Sequence, residues 1–165
     1  MEITVRTPGR LVWNGHDVRC ALGPAGIRRD KREGDGATPA GRFPLRRVLY
    51  RSDRLARPVT GLPCFALDPA DGWCDDPADP FYNRPVRLPY RASAEALWRA
   101  DDIYDAIVVL GHNDDPVVPG RGSAIFLHIA RSDYAPTAGC VALARDDLLD
   151  LLAAAAGTAV LTIPD

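Results

Sequence analysis

The chain has 165 residues, of which 47% are hydrophobic and 25% are charged. This is the composition of an ordinary globular protein, and it argues against intrinsic disorder. The formal net charge of −2 gives no reason to expect a nucleic acid or another polyanion as a partner. The length fits one folded unit, so we expect a single domain over residues 1–165.

Neither a membrane span nor an export signal is predicted. The longest apolar tract, residues 151–163, is shorter than the ~20 residues that a membrane helix needs. The first residues lack the basic and apolar regions of a secretion signal. The four cysteines show no CxxC pair and no zinc-type spacing. They leave room for one reactive thiol, and Cys64 and Cys74 could form a disulfide in an oxidising compartment.

The first twenty residues predict a β-meander. Apolar residues alternate there in three short segments, and Asn14-Gly15 between the second and the third is a strong hairpin signal. Residues 23–44 are glycine-rich and indicate a long loop, which in a compact domain is usually functional or disordered. A strand is expected from Phe43 to Tyr50. The proline-rich residues 68–90 are expected to form a loop with short extended pieces.

The second half predicts two helices among strands. Ser93 is a suitable N-cap for a short helix over residues 94–99. Acidic residues 146–147 favour the start of a helix that runs to Ala156 and stops at Gly157. The expected fold is mostly β with two helices. Apolar runs predict strands at residues 107–110, 124–129, 141–143 and 158–163.

Three histidines are the candidates for a general base. His16 lies in the first hairpin, where an exposed structural role is expected. His112 and His128 each end or interrupt an apolar strand, where a rigid scaffold can deliver a side chain to a site. If the strand around His128 alternates, its side chain points away from those of Leu127 and Ile129.

Cys140 is the candidate nucleophile. It follows Thr137-Ala138-Gly139, a turn of small residues where backbone N–H groups can face a developing oxyanion. Amide dipoles and an imidazole that converge on such a thiol can lower its pKa. Two other interpretations stay open. One is an inert buried cysteine, and the other is a metal site of His112, His128 and Cys140, which lacks a short-spaced ligand pair.

With these residues assembled, the chain resembles the L,D-transpeptidase catalytic (YkuD) domain over most of its length. The family signature, a strand-borne His followed by a Ser/Thr-x-Gly-Cys turn, corresponds to His128 and Thr137-Ala138-Gly139-Cys140. The family's upstream Gly-Asp-Gly-x-Thr-Pro-x-Gly loop corresponds to residues 34–41. Further segments that resemble a bacterial branch of the family follow in the same order at residues 73–77, 82–83, 111–113 and 119–123.

The resemblance implies a mainly β, sandwich- or barrel-like enzyme that crosslinks peptidoglycan without a metal or organic cofactor. Cys140 would attack a peptide carbonyl of a donor stem, usually at meso-diaminopimelate, and form an acyl-enzyme. His128 would act as base toward the thiol and then as acid for the leaving amine. The side-chain amine of an acceptor stem would take the acyl group, while backbone N–H groups of Gly139 and Cys140 hold the oxyanion. A carbapenem would acylate Cys140 by the same chemistry.

The chain departs from the commonest family motif, Ser-His-Gly-Cys-Ile/Val-Arg, at two positions. Ala138 and Ala142 replace the motif histidine and arginine, which leaves His128 as the better base. Arg131 or Arg121 could then bind a substrate carboxylate. The departure leaves open whether the donor bond lies at diaminopimelate or at L-alanine. The other expected substrate-binding residues are Thr137, Asn113, His112, Tyr82, Asn83 and Lys31.

Several alternatives stay open at this point. Asn83 and Asn113 could pin loops, and Tyr82 could be a core residue, instead of binding substrate. The enzyme could be a hydrolase such as an L,D-carboxypeptidase, with water in place of the acceptor amine, or the chain could be an inert peptidoglycan-binding module. The expected partners are donor and acceptor stem peptides, with no nucleic acid, and we expect a monomer. The reaction belongs in the periplasm or cell envelope, whereas the lack of a visible export signal leaves a cytoplasmic role open.

The small net charge conceals an uneven distribution. Residues 28–57 carry ten basic side chains against four acidic ones, a local sum of +6. Residues 68–79 and 101–115 each hold five Asp and no Lys or Arg. Stem peptides carry several carboxylates, so the basic block, which includes Lys31 in the glycine-rich loop, is predicted to meet the anionic substrate.

Overall fold

A computed structural model describes residues 1–165 as short strands and one helix. Local sequence favours several of the strands, because apolar residues alternate with polar ones along them. The elements are Glu2–Arg6 (β1), Arg10–Trp13 (β2), His16–Ala21 (β3), Ile27–Arg28 (β4), Thr38–Pro39 (β5), Gly41–Tyr50 (β6), Cys64–Ala66 (β7), Asp71–Cys74 (β8), Pro85–Arg87 (β9), Ala94–Ala96 (β10), Ala106–Leu110 (β11), Phe126–Ile129 (β12), Val141–Leu143 (β13), Arg145–Ala154 (α1) and Val160–Ile163 (β14).

Eight strands close into a barrel. Their order around it is β11-β12-β13-β3-β2-β1-β14-β6, and β6 pairs back onto β11. The ten-residue β6 permits this closure, because residues 41–44 pair with β14 while residues 45–50 pair with β11. Alternate strand side chains, together with residues of α1 and of loops, form a core cluster of 26 buried residues. Closure leaves these eight strands without a long open edge.

The predicted N-terminal meander is confirmed. β1, β2 and β3 pair antiparallel in succession. Asn14 and Gly15 both have positive φ angles, 43° and 85°, as a tight two-residue hairpin turn requires. Trp13 and His16 pair across this turn, and their rings stack with centroids 4.6 Å apart. The exposed His16 therefore has the structural role that was expected of it.

A second layer covers part of the outer surface of the barrel. It is the small sheet β10-β8-β9, which accounts for the short extended pieces predicted in the proline-rich region. A second cluster of ten buried residues lies between this sheet and the barrel, and it includes Trp73, Phe126 and Cys140. The rings of Trp73 and Phe126 meet edge to face at 5.2 Å. Side chains of β12 that point away from the barrel core are therefore partly buried beneath the small sheet.

The helix predicted over residues 94–99 is wrong. Residues 94–96 instead form β10 and pair antiparallel with β8, because a tertiary pairing outweighs a weak local preference for helix. The chain therefore has one short helix where two were expected. This helix, α1, is neither long nor apolar enough to cross a membrane. This helix ends at Ala154, and Ala155 has extended backbone (φ −79°, ψ 134°), so Gly157 does not terminate it.

The segments of opposite charge pair with each other across the fold. Arg46 of the basic block binds Asp114 at 2.8 Å, and Arg54 binds Asp105 at 3.0 Å. Both aspartates belong to the acidic stretch 101–115. These two ion pairs therefore join the basic block to the acidic stretch 101–115.

Candidate active site

Strands β12 and β13 are parallel neighbours, and some of their side chains point into the barrel core while others line a cavity. The register pairs His128 with Ala142. Leu127 and Ile129 belong to the barrel core, whereas His128, Cys140 and Ala142 line a cavity of about 490 Å³. The alternation predicted around His128 is therefore confirmed, and Cys140 lies on the same side of the sheet as the histidine.

Cys140 is 6% exposed, and its thiol is hydrogen-bonded to the backbone. Its Sγ donates to the Ala124 carbonyl at 3.2 Å and accepts from the Phe126 N–H at 3.4 Å. Burial, followed by the negative charge of Glu95, raises the pKa of this thiol to about 12. At neutral pH the sulfur is therefore protonated, and its proton is directed at Ala124 and not at His128.

His128 presents a neutral imidazole to the cavity. Its Nδ1 lies 2.9 Å from the Ile129 carbonyl oxygen. Because a carbonyl only accepts, Nδ1 carries the proton and Nε2 keeps the free electron pair. The ring of Tyr104 packs edge to face on the imidazole with centroids 5.2 Å apart. Burial lowers the pKa of His128 to about 4, so Nε2 is free to accept a proton at neutral pH.

The turn that precedes Cys140 is closed by Thr137. Its Oγ1 donates to the Cys140 carbonyl at 2.7 Å and accepts from the Gly139 N–H at 3.1 Å. Of the two predicted oxyanion donors, the Gly139 N–H is thus occupied, whereas the Cys140 N–H makes no turn or loop backbone hydrogen bond. Gly139 has a φ of 135°, and a Cβ there would lie 2.6 Å from the Ala37 oxygen. The turn therefore requires glycine at this position.

The glycine-rich loop that holds Ala37 against this turn is ordered by an internal ion pair. The Asp35 carboxylate accepts from the Lys31 ammonium and from the N–H groups of Arg32 and Ala37. Burial alone would raise the pKa of Asp35, but the Lys31 hydrogen bond and the two backbone donors lower it to about 2. Lys31 lines the cavity, yet it is only 4% exposed and already has its counter-ion.

Asn83 contacts the site indirectly. It does not line the cavity. Its Oδ1 accepts from Trp73 Nε1 at 2.9 Å and from the Ala124 N–H at 3.1 Å, and its Nδ2 donates to two carbonyls of the loop after β11. Asn83 therefore anchors the N–H of Ala124, the residue whose carbonyl accepts the Cys140 thiol proton.

The other residues predicted from the motifs support loops outside the cavity wall. Asn113 donates to two carbonyls of the loop after β11, and His112 Nε2 donates to the Arg121 carbonyl at 3.0 Å. Tyr82 donates to Glu33 and accepts from a loop N–H. The structure thus brings Cys140, His128, Thr137, Lys31 and Arg131 to one cavity and leaves the remaining candidates around it.

Two arginines lie in the cavity wall. Arg99 binds Asp101 through two bonds of 2.7 Å, and Arg131 approaches the same carboxylate at 3.3 Å. The Arg131 side chain is half-exposed. It therefore lies at the cavity with only a loose ion pair to Asp101, and its binding of a substrate carboxylate stays a prediction.

Several cavity residues were not predicted from the sequence, among them Glu33, Asp75, Glu95, Arg99 and Tyr104. The Tyr104 hydroxyl donates to Glu95, and burial raises the pKa of the Glu95 carboxyl. A signal for two of them was present in the composition. Only three of the 22 acidic residues are Glu, and two of those three line this cavity.

A zinc site of His112, His128 and Cys140 does not form, because His112 lies outside the cavity. No group of three or more His, Cys, Asp or Glu side chains is arranged to hold a metal ion. All four cysteines are free and buried, so Cys64 and Cys74 are not joined. Cys140 differs from the other three in lying on the wall of this cavity.

Comparison with known proteins supports the family membership that the motifs around His128 and Cys140 indicate. A family model described as YkuD, L,D-transpeptidase catalytic domain, matches residues 2–161, which is nearly the whole chain and includes both Cys140 and His128. No curated protein and no solved structure gives a significant match.

Proposed function

The chain belongs to the YkuD family of L,D-transpeptidase catalytic domains, and on this premise we propose that it crosslinks peptidoglycan stem peptides through a cysteine acyl-enzyme. The observation that carries the proposal is the placement of His128 on β12 and of Cys140 directly before the parallel neighbour β13, with both side chains on one cavity wall. A thiol nucleophile and an imidazole base are the two groups that acyl transfer through a thioester requires.

Acylation begins when the thiol turns from the Ala124 carbonyl toward His128. Nε2 of His128 takes the thiol proton while Sγ attacks the donor carbonyl carbon. Burial keeps the imidazole a weak base and the thiol a weak acid, so an ion pair does not form in advance and proton transfer accompanies the attack. The Cys140 N–H stabilises the oxyanion, and the imidazolium then protonates the leaving amine as the thioester forms.

Deacylation reverses these roles. The side-chain amine of a diaminopimelate residue in the acceptor stem attacks the thioester carbonyl, and His128 Nε2 takes one amine proton. The C–S bond then breaks, the new amide forms, and the proton returns to Cys140. Water in place of the amine would give hydrolysis with the same residues. The family is typical of the cell envelope, and we place the reaction there.

Purified muropeptides analysed by mass spectrometry test this proposal. Dimers that have lost one residue are expected with the unchanged chain and not with Cys140→Ala, whereas Cys64→Ala serves as a control for removal of a buried thiol outside the cavity. A carbapenem should add its mass to the unchanged protein only while Cys140 is present. Shortened monomers without dimers would identify a hydrolase, and a fully active Cys140→Ala protein would exclude the cysteine mechanism.

A further inference from the structure

The imidazole of His128 is held by two contacts of different kinds. Its only hydrogen bond runs from Nδ1 to the Ile129 carbonyl, at 2.9 Å. Its other contact is the ring of Tyr104, which meets it edge to face with centroids 5.2 Å apart and planes at 77°. Because the torsion that turns a histidine ring is soft, one hydrogen bond leaves the imidazole free to tilt. The contact with Tyr104 therefore limits the direction of Nε2.

The backbone on both sides of Tyr104 is fixed. The Ile103 carbonyl accepts from the Ile129 N–H at 3.0 Å, which ties this segment to the residue whose carbonyl holds the His128 ring. On the other side, Asp105 is 1% exposed, and two arginine side chains bind its carboxylate. The position of Tyr104 relative to His128 is therefore set by buried bonds on either side of it.

The side chain of Tyr104 is also supported from several directions. Its hydroxyl donates to Glu95 Oε1 at 2.5 Å, and its ring meets that of Phe126 with centroids 6.0 Å apart. The guanidinium carbon of Arg99 lies 5.3 Å from the centroid of the same ring. Glu95 belongs to the small sheet and Phe126 to the barrel, so both layers of the fold hold the ring. Burial raises the pKa of the hydroxyl, so Tyr104 stays neutral and is not itself a base.

We propose that Tyr104 is the positioning residue of the candidate base: its ring holds the His128 imidazole with Nε2 toward the cavity and keeps water off the ring face that it covers. This assignment rests on the proposed function. A base must lie within hydrogen-bond reach of the proton that it takes, and a misplacement of about 1 Å can lower a rate by about 100-fold. Tyr104 acts through His128 and exchanges no proton. Through Glu95, the small sheet thereby takes part in catalysis.

Variants of Tyr104 separate its ring from its hydroxyl. Tyr104→Leu and Tyr104→Met remove the ring, and the flexible methionine can fill the space if leucine leaves a void that unfolds the chain. Tyr104→Phe keeps the ring and loses the bond to Glu95. Tyr90→Phe is the matched control for the lost hydroxyl, because Tyr90 donates to Asp79 at 2.8 Å and lies outside the cavity. Urea unfolding first identifies the variants that are folded under the assay conditions.

A proton NMR titration of the His128 ring gives a readout that needs no substrate. Its signal is identified by its absence in His128→Gln. Burial lowers the pKa of His128 to about 4, so contact with water should raise this pKa by at least about one pH unit when the Tyr104 ring is removed. The pKa should stay within about half a pH unit in Tyr104→Phe and in Tyr90→Phe. The charged groups around the site remain in every variant: Arg99, Arg131, Asp101 and Glu95.

Muropeptide turnover at neutral pH is the second readout. A base of higher pKa by itself reacts faster, so a ring that only filled space would give turnover that is unchanged or raised when it is lost. We expect kcat to fall at least about tenfold without the Tyr104 ring, and at most about threefold in Tyr104→Phe. A His128 pKa that does not move, or a kcat that does not fall in a folded variant without the ring, would overturn the assignment and leave the proposed function standing. No turnover by the unchanged chain would overturn the proposed function and the role of Tyr104 in it.

Discussion

The two faces of strands β12 and β13 differ completely although alternate residues of the same short segments form them. On the inner face Leu127, Ile129 and Leu143 meet apolar neighbours in the barrel core. On the outer face His128 and Cys140 meet a cavity with a charged wall. One rigid pair of strands can therefore hold His128 and Cys140 in fixed relative positions while it keeps charged groups out of the barrel core. Substitutions on the two faces should therefore separate catalysis from stability.

The largest expected effect is on the outer face. Cys140→Ala should lower acyl transfer by at least about 1,000-fold, because the nucleophile is lost, while the melting temperature changes little. Muropeptide turnover and thermal unfolding measured on one preparation give both values. A fall in melting temperature as large as that of Leu127→Ala would break the comparison, since Cys140 would then contribute as much to stability as a residue of the barrel core.

On the inner face, Leu127→Ala should lower the free energy of unfolding by about 2–5 kcal/mol, because it leaves a void in the barrel core. Urea unfolding measures this loss. Turnover per folded molecule should stay close to that of the unchanged chain at a temperature where the variant is folded. A loss of turnover without a loss of stability would contradict the separation of the faces.

Gly139→Ala probes the turn that joins the two faces. The new Cβ would lie 2.6 Å from the Ala37 oxygen at a φ of 135°, so we expect a loss of about 1–3 kcal/mol in the free energy of unfolding together with impaired acyl transfer. Gly26→Ala is the matched control, since Gly26 has a φ of 78° and open space around it. If both variants keep full activity, the position of the turn is not critical.

The pH dependence of stability should report the burial of His128. A histidine in the unfolded chain has a pKa of about 6.5, whereas burial lowers the pKa of native His128 to about 4. Between pH values of about 4 and about 6.5 the unfolded chain binds more protons than the native chain does. The stability that neutral His128 contributes is therefore complete above the unfolded pKa, and it is lost as the pH falls toward the native pKa. The slope is at most about 1.4 kcal/mol per pH unit. Urea unfolding at several pH values should show a steeper acid decline for the unchanged chain than for His128→Gln, and equal slopes would show that His128 is solvated.

Sequence reasoning reached the parts of the fold that local pattern determines. The Asn14-Gly15 hairpin and the inward and outward alternation around His128 follow from period and turn chemistry. It failed where distant segments decide the outcome. Residues 94–96 became a strand because β8 pairs with them.

The same limit applies to the site. Lys31 was expected to meet an anionic substrate, but Asp35, four residues away, takes its charge inside the loop. Glu95 and Tyr104 went unnoticed because neither belongs to a local motif, and their meeting beside His128 depends on how the small sheet covers the barrel. Charge pattern along a sequence does not show which charges neutralise each other after folding.

The four free cysteines have a consequence for how this protein withstands oxidants. Burial raises the pKa of all four thiols, to about 12 for Cys20 and Cys140, and above the ordinary value for Cys64 and Cys74. Peroxides and disulfides react with the thiolate and not with the thiol. At neutral pH all four cysteine thiols are therefore expected to oxidise slowly, and the one proposed as the nucleophile would stay protonated until His128 takes its proton.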